Sequence, residues 1–393
     1  MRKRADYSIE DLCLVLEHLK KSLRIAVIFG GDKSKEKAVR YQTSNPRSWK
    51  SYESVAYDIA NALSELGFQN VFVMPDDMSL LPNLEVMDIH LAWLNTGGVQ
   101  GYIPTAHASA MLEMAGVPYI GHNPMNAAIL DNKHIFKTML QKFNIKTAPF
   151  LVWSRSALEA NAAKDTSEIH AVFGDYTGPF IVKPTSGRAS LHVTYVPSVN
   201  DLFDAVNEVY EATQNLVVIE KYVGGSEYCV SITGPVISKK GDCQLLNHPF
   251  AFSHVRRNLA ADEPVFTSMD KKPITNERIT VLGDGNSEKV VESLSKLAHS
   301  IYTSFFLETL VRIDIRADEA GELFVLETNP KPDLKKPAGE VTSLTCIGLA
   351  QKEMSYNDLI MSLFADRLDY LLSYRSKNIT HITSLVSLSG VSR

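Results

Sequence analysis

Residues Val311–Asp333 read VRIDIRADEAGELFVLETNPKPD, and how this stretch pairs with itself decides the fold. Val311, Ile313 and Ile315 alternate with Arg312, Asp314 and Arg316, the period of a strand with one buried face, and a second run, LFVLET, follows Ala320-Gly321. A two-residue loop at Ala320-Gly321 fixes the register. Asp314 then lies opposite Glu327 and Arg312 opposite Asn329, with all four side chains on one face. Facing carboxylates, their Cβ atoms about 5 Å apart, repel unless positive charge lies between them. Neutralisation by Arg312 and Arg316 is one answer. A divalent cation is the better one, because an Asp, a Glu and an Asn amide oxygen on a rigid surface supply the few hard ligands that Mg²⁺ takes from protein.

Composition sets the frame around this hairpin. At 393 residues, 45% hydrophobic and 22% charged, the chain is long enough for two or three domains with a large core. A net charge of -5 gives no support for a general nucleic-acid binder. Cys13, Cys229, Cys243 and Cys346 are far apart with no CxxC pair, which argues against a disulfide framework or a zinc site. The start MRKRADYSIEDLCLVLEHLKK is basic, but its apolar run LCLVL is too short for a secretion signal. No run approaches the roughly 20 apolar residues of a membrane span, so a cytoplasmic location without a membrane partner is expected.

Upstream of the hairpin, Ser8 to Lys21 reads as a capped amphipathic helix with a packing role. RIAVIFGGD (residues 24–32) is a buried strand ending in a glycine turn. The basic stretch from Lys33 to Lys50 reads as a long loop, either a solvated insertion or a lid over an anionic ligand. A helix from Ser51 to Gly67, strands VFVM and HLAWL, the loop NTGGVQG and helix TAHASAMLEMAG complete a βαβ pattern with a parallel sheet. NAAILDNKHIFKTMLQKFNI reads as one helix carrying Lys133. In PFIVKPTSGRASLHVTYV, Lys183 stands at the mouth of a turn built from Thr185, Ser186, Gly187, Ala189 and Ser190, small residues that let a backbone approach a phosphate. A buried strand then ends in Glu220-Lys221, kinks at Gly224-Gly225 and continues through Glu227. Residues 248–275 lack periodicity and read as a loop concentrating Arg256, Arg257, Lys271 and Lys272. Helices SEKVVESLSKLAHSIYTSF and SYNDLIMSLFADRLDYLLSY flank the hairpin, and the Ser/Thr-rich tail from Ser376 has no packing signal.

Four pieces thus occur in one order: DNK with Lys133, FIVKP with Lys183, VIEKY with Glu220 and a later Glu227, and RID…ETN. That order resembles the ATP-grasp superfamily, in particular the D-alanine:D-alanine ligase branch, from about residue 25 to 375. The resemblance implies an α/β fold: an N-terminal helical extension (1–22), a doubly wound pre-ATP-grasp domain (23–125), a central ATP-grasp lobe (126–222), a C-terminal lobe with the metal site (223–375) and a polar tail (376–393). It implies an ATP-dependent carboxylate–amine ligase working through an acyl phosphate. Lys133 and Lys183 would touch ATP phosphates, and Ser186, Gly187 and Ser190 would form the phosphate loop. Glu220, Lys221 and Val223 would face adenine, and Glu227 the ribose. Asp314, Glu327 and Asn329 would hold two Mg²⁺ ions, replaceable by Mn²⁺, and Arg312 would steady the intermediate. One of Arg256, Arg257, Lys271 and Lys272 would reach the γ-phosphate. The partners implied are an amino acid or other carboxylate and an amine acceptor, and a homodimer is admitted.

The departures bear on substrate. TSGRASLH keeps only Gly187, the Asn is followed by PKPDLKKPAGE, and Asn95-Thr96-Gly97-Gly98 stands where a His-Gly pair is expected. Glu36 or Glu53 is left to hold a substrate amine. A D-alanine pair is therefore not the expected substrate. A nucleotide-binding protein of this fold without ligation, and a synthetase acting on a non-amino-acid carboxylate, stand as alternatives.

Overall fold

The computed structural model describes residues 8–45, 47–153, 167–260, 263–266, 272–283, 287–339 and 343–387. Helix α1 (Ile9–Ser22) opens with the expected capping box, Ser8 and Asp11 satisfying each other's backbone N–H. A parallel sheet of β1 (Arg24–Phe29), β2 (Asn70–Pro75), β3 (Leu91–Asn95) and β4 (Tyr119–Ile120) follows in the order β2-β1-β3-β4. Alternate residues of β1 enter two cores. Ile25 and Val27 meet α1 and α2 (Glu53–Glu65), whereas Ala26 and Ile28 meet α3 (Leu80–Val86) and α4 (His107–Ala115). Burial on both faces explains why the strand reads as one apolar run.

The next segment departs from expectation. In place of one helix there are two, α5 (Pro124–Asp131) and α6 (Lys133–Lys142), broken at Asn132. The Asn132 side chain accepts from Ile135 N at 3.1 Å, and this cap outcompetes helix continuation. The break leaves Lys133 N to donate to Thr185 O at 2.7 Å. Strands β5 (Phe150–Trp153), β6 (Phe180–Pro184), β7 (Thr194–Val196) and β8 (Val217–Lys221) form an antiparallel sheet in the order β5-β8-β6-β7. Helices α7 (Ser167–Phe173) and α8 (Leu202–Thr213) cover one of its faces.

Beyond it come β9 (Glu227–Thr233), the hairpin β10 (Val236–Lys239) and β11 (Asp242–Leu245), then β12 (Phe250–Arg257) and β13 (Ile279–Val281). The expected loop over Arg256 and Arg257 is thus a strand. Its register on β9 shifts between Phe252 and Val255, with Ser253 at φ 48°, so the apolar alternation is interrupted. Helix α9 (Glu288–Ser304) backs the second antiparallel sheet, completed by β14 (Val311–Ala317) and β15 (Leu323–Asn329) in the order β13-β12-β9-β14-β15. Helix α10 (Tyr356–Tyr374) shares one core with α1, α2 and the first sheet. The tail does pack: α11 (Thr380–Ser387) follows, with Ile379 and Ile382 buried in that core.

The decisive hairpin pairs Asp314 with Glu327 and Arg312 with Asn329. It gets there by another route. The loop holds three residues between Asp318 and Glu322, whose backbones pair at 2.9 Å, and Asp318 Oδ1 accepts from Ala320 N and Glu322 N. That loop alone would put Asp314 opposite Leu326. A bulge at Leu326, between the Ile315–Val325 and Asp314–Glu327 pairs, moves the register by one and restores the facing carboxylates.

Candidate active site

The two antiparallel sheets form a cleft lined among others by Lys133, Lys183, Gly187, Ser190, Glu220, Lys221, Val223, Glu227, Arg257, Asp314 and Glu327. Ile181, Leu191, Val193, Val265 and Leu326 give it an apolar wall. Leu326 is available there because the bulge leaves both it and Glu327 on the cleft side. Strand register brings the charges together: Glu227 sits between Arg257 on β12 and Arg316 on β14, and Asp314 is next along. Gly225 at the kink donates to Ala317 O at 3.0 Å, and a Cβ there would lie 2.5 Å from that oxygen, so only glycine fits.

Arg257 is the residue of its group that faces the site. Its Nη1 donates to Glu227 Oε1 at 2.6 Å and its Nη2 to Asp314 Oδ2 at 2.8 Å. Arg312 donates to both Asp314 oxygens, at 2.8 and 3.1 Å. Burial would push the Asp314 carboxyl up, but the two guanidiniums outweigh it and hold it at about 2. Arg256 points to the other side and is exposed, which corrects its candidacy. Lys272 is half-exposed with its nearest carboxylate, Glu263, at 3.9 Å, and Lys271 lies outside the described residues.

Around the lysines the cleft is more tightly wired than the sequence suggests. Lys183 Nζ lies 2.9 Å from Glu220 Oε1, and Lys137 Nζ lies 3.3 Å from the same oxygen. Burial raises the Glu220 carboxyl, but both lysines draw it below its usual range, whereas burial brings Lys137 down to about 8. Lys137 was missed. Its signal was its place four residues after Lys133, on the same helical face. Lys133 Nζ approaches Glu327 Oε2 at 3.3 Å. Arg316, stacked 4.6 Å from the Tyr222 ring centroid, donates to Tyr222 Oη next to the kink at Gly224-Gly225.

Other expected residues have different partners. The Ser186 hydroxyl donates to Asp131, whose other oxygen accepts from Arg47 Nε at 2.9 Å, and Ser186 does not line the cleft. Ser190 Oγ donates to Phe266 O at 3.0 Å. Both oxygens of Glu227 face guanidiniums. Glu36 is exposed beside Lys37, and Glu53 begins α2; neither lines the cleft.

The residues fit a hard divalent cation by their chemistry. Asp314 is anionic, Glu327 faces it across the ladder, and the Asn329 amide carries a buried terminal atom without a hydrogen-bond partner. That atom is assigned as nitrogen; the opposite amide orientation offers an unpaired oxygen in its place. Among the described residues no helix is long and apolar enough to cross a membrane.

An uncharacterized protein y4sG of Sinorhizobium fredii (strain NBRC 101917 / NGR234) is 25% identical over 331 residues, 80% of this chain and 87% of the relative. The D-alanine--D-alanine ligase of Clostridium botulinum (strain Alaska E43 / Type E3) is 26% identical over 79% of this chain and 89% of its own length. The crystal structure of the D-alanine--D-alanine ligase of Bacillus anthracis complexed with ATP has the same fold, with a TM-score of 0.62 at 20% identity over 88% of this chain and 98% of that one. The family model described as the D-ala D-ala ligase C-terminus matches residues 139–365, more than half of the chain, and the chain therefore belongs to the D-alanine–D-alanine ligase family, an ATP-grasp family of ligases.

Proposed function

We propose that this protein is an ATP-dependent carboxylate–amine ligase that joins an amino acid to an amine through an acyl phosphate, releasing ADP and phosphate. The observation that carries this reading is the convergence, in one cleft, of Lys133, Lys183, Arg257 and the facing pair Asp314 and Glu327. A carboxylate is a poor electrophile. It first takes the γ-phosphoryl group, its oxygen forming a bond to phosphorus as the bond to ADP breaks; the amine then attacks the acyl carbon, its nitrogen gives up a proton to solvent or phosphate, and phosphate leaves with the electron pair. Such transfers rest on positioning and on cations that neutralise spreading charge.

Each part of the cleft supports one share of that work. Ile181, Val193 and Leu326 offer an apolar slot for the nucleobase beside the hinge at Lys221–Val223. Lys133 on α6 and Lys183 on β6 would meet the phosphates with their ammonium groups. Asp314, Glu327 and Asn329 would hold Mg²⁺, which supplies charge neutralisation at the phosphates. Arg257 and Arg312, locked on Asp314, keep fixed guanidiniums where negative charge develops.

Arg256 and Arg257 provide an internal control. Arg257→Gln is expected to lower turnover about 10²- to 10³-fold, the usual scale for losing one preorganised charge stabiliser. Arg256→Gln, on the exposed side of the same strand, should leave it within about twofold. Equal effects in a steady-state assay of phosphate release would refute the assignment. The broader reading is tested by screening ATP- and Mg²⁺-dependent phosphate release against pooled amino acids, with products weighed by mass spectrometry. Tight ATP binding without turnover across a wide pool would sink it in favour of a non-ligating nucleotide binder.

A further inference from the structure

Past Asn329 lies a smaller pocket, lined by Arg47, Thr96, Thr105, His122, Pro330 and Lys331 with a few apolar neighbours. Three side-chain atoms on its lining residues are buried without any hydrogen-bond partner: Lys331 Nζ, Thr105 Oγ1 and His122 Nδ1. Single atoms of this kind have many explanations, but three on one cavity call for a polar ligand. Their chemistry is specific. Lys331 Nζ sits 3.2 Å from the Tyr52 ring centroid and has Arg47, Lys50 and Arg188 as neighbouring cations against one carboxylate, Asp333. Arg47 is partly neutralised by Asp131. The His122 ring directs Nε2 to Leu310 O at 3.1 Å, and burial keeps the ring neutral, so Nε2 carries the proton and Nδ1 is an acceptor. The cavity therefore offers amine and guanidinium donors from Lys331 and Arg47 and an acceptor for an N–H or O–H.

We propose that this cavity holds a non-reacting carboxylate of the substrate, with Lys331 and Arg47 on the carboxylate and His122 Nδ1 on a neighbouring N–H or O–H. The proposal deepens the ligase reading and rests on it for calling the ligand a substrate. Lys331 follows Asn329 by two residues, so its Cα lies at most about 7 Å from the end of the metal-binding face. A small molecule can therefore reach the reacting centre with one end and Lys331 with the other. Two sources share this chemistry: the α-carboxylate of an acceptor amino acid, and a second carboxylate on an acidic donor.

The test is calorimetry on the full chain saturated with a non-hydrolysable ATP analogue and Mg²⁺, using alanine, alaninamide and glutamate as probes. Binding of alanine or glutamate but not alaninamide is expected. Lys331→Gln should weaken it at least tenfold and Lys331→Arg should restore most of it, with the affinity for the analogue changed less than twofold in both. Alanine and glutamate weakened alike identify the acceptor's α-carboxylate; glutamate alone weakened identifies the second carboxylate of a donor. The proposal is overturned if no probe binds, if Lys331→Gln leaves every dissociation constant unchanged, or if it weakens the ATP analogue and not the carboxylates. A melting curve for each variant separates these outcomes from misfolding. Product analysis with the probes that bind separates the two readings: binding lost in Lys331→Gln without any amide product would remove the ligase reading and leave the pocket, whereas ligation indifferent to Lys331→Gln would do the reverse.

Discussion

Glu327→Gln is expected to lower amino-acid-dependent phosphate release by about 10³-fold or more, the scale at which loss of charge stabilisation at a transferring group is felt. The fold should be indifferent to the change. Glu327 is about one-third exposed, its ion pair is to Lys133 at 3.3 Å, and its place opposite Asp314 is set by the backbone register. Glutamine keeps the shape and one oxygen but removes the charge that would hold a cation between the strands. Asp314→Asn is the less clean probe, because Asp314 is buried and carries Arg257 and Arg312. Its removal would leave two guanidiniums short of a counter-charge and destabilise the protein as well. The sign of the pH effect follows from its lowered pKa. Stability contributed by ionised Asp314 is fully present above the unfolded value near 4 and is lost as pH falls through about 2. Acid melts of wild type and Asp314→Asn should therefore converge between about pH 4 and pH 2. Wild-type turnover in Glu327→Gln, with melting unchanged, would remove Glu327 from the metal-binding set.

The hairpin also shows what a sequence can and cannot carry. The facing of Asp314 and Glu327 was legible because alternation constrains which residues share a face. The path to it was not, since a loop one residue longer and a bulge at Leu326 cancel in the register, and neither leaves a mark on the hydrophobic pattern. The same blindness hid β12, where the irregularity at Ser253 interrupts the alternation and puts Arg257, not Arg256, on the cleft side. Local capping is legible only in part. Ser8 announced α1, whereas Asn132 sat inside an apolar period long enough to pass for continuous helix. The packing of the tail is illegible for another reason: Ile379 and Ile382 pack against a core assembled from distant segments, a tertiary effect that a short polar window cannot show. Lys331 belongs to this class too, because Arg47, Thr105 and His122 come to it only through the tertiary fold.

The Lys137–Glu220–Lys183 cluster yields the largest expected change in stability. All three side chains are essentially out of contact with water, and one carboxylate serves both ammonium groups, at 3.3 and 2.9 Å. Glu220→Gln keeps the volume and removes the carboxylate that pairs with both lysines, leaving two buried cations facing each other. Breaking a buried ion pair from one side costs about 3–5 kcal/mol, so the midpoint of denaturant unfolding should fall by the equivalent amount. Lys137→Met should cost much less, because Glu220 then keeps Lys183 and an apolar chain fills the space beside Phe150. Function enters through nucleotide. If Lys183 meets a phosphate, the phosphate replaces the lost carboxylate as counter-charge, and a saturating ATP analogue should raise the melting temperature of Glu220→Gln by more than it raises that of wild type. A Glu220→Gln variant within 1 kcal/mol of wild type, about the value of a single exposed ion pair, would show that the cluster does not hold the lobe together, and one that gains nothing extra from nucleotide would show that it does not face the phosphates.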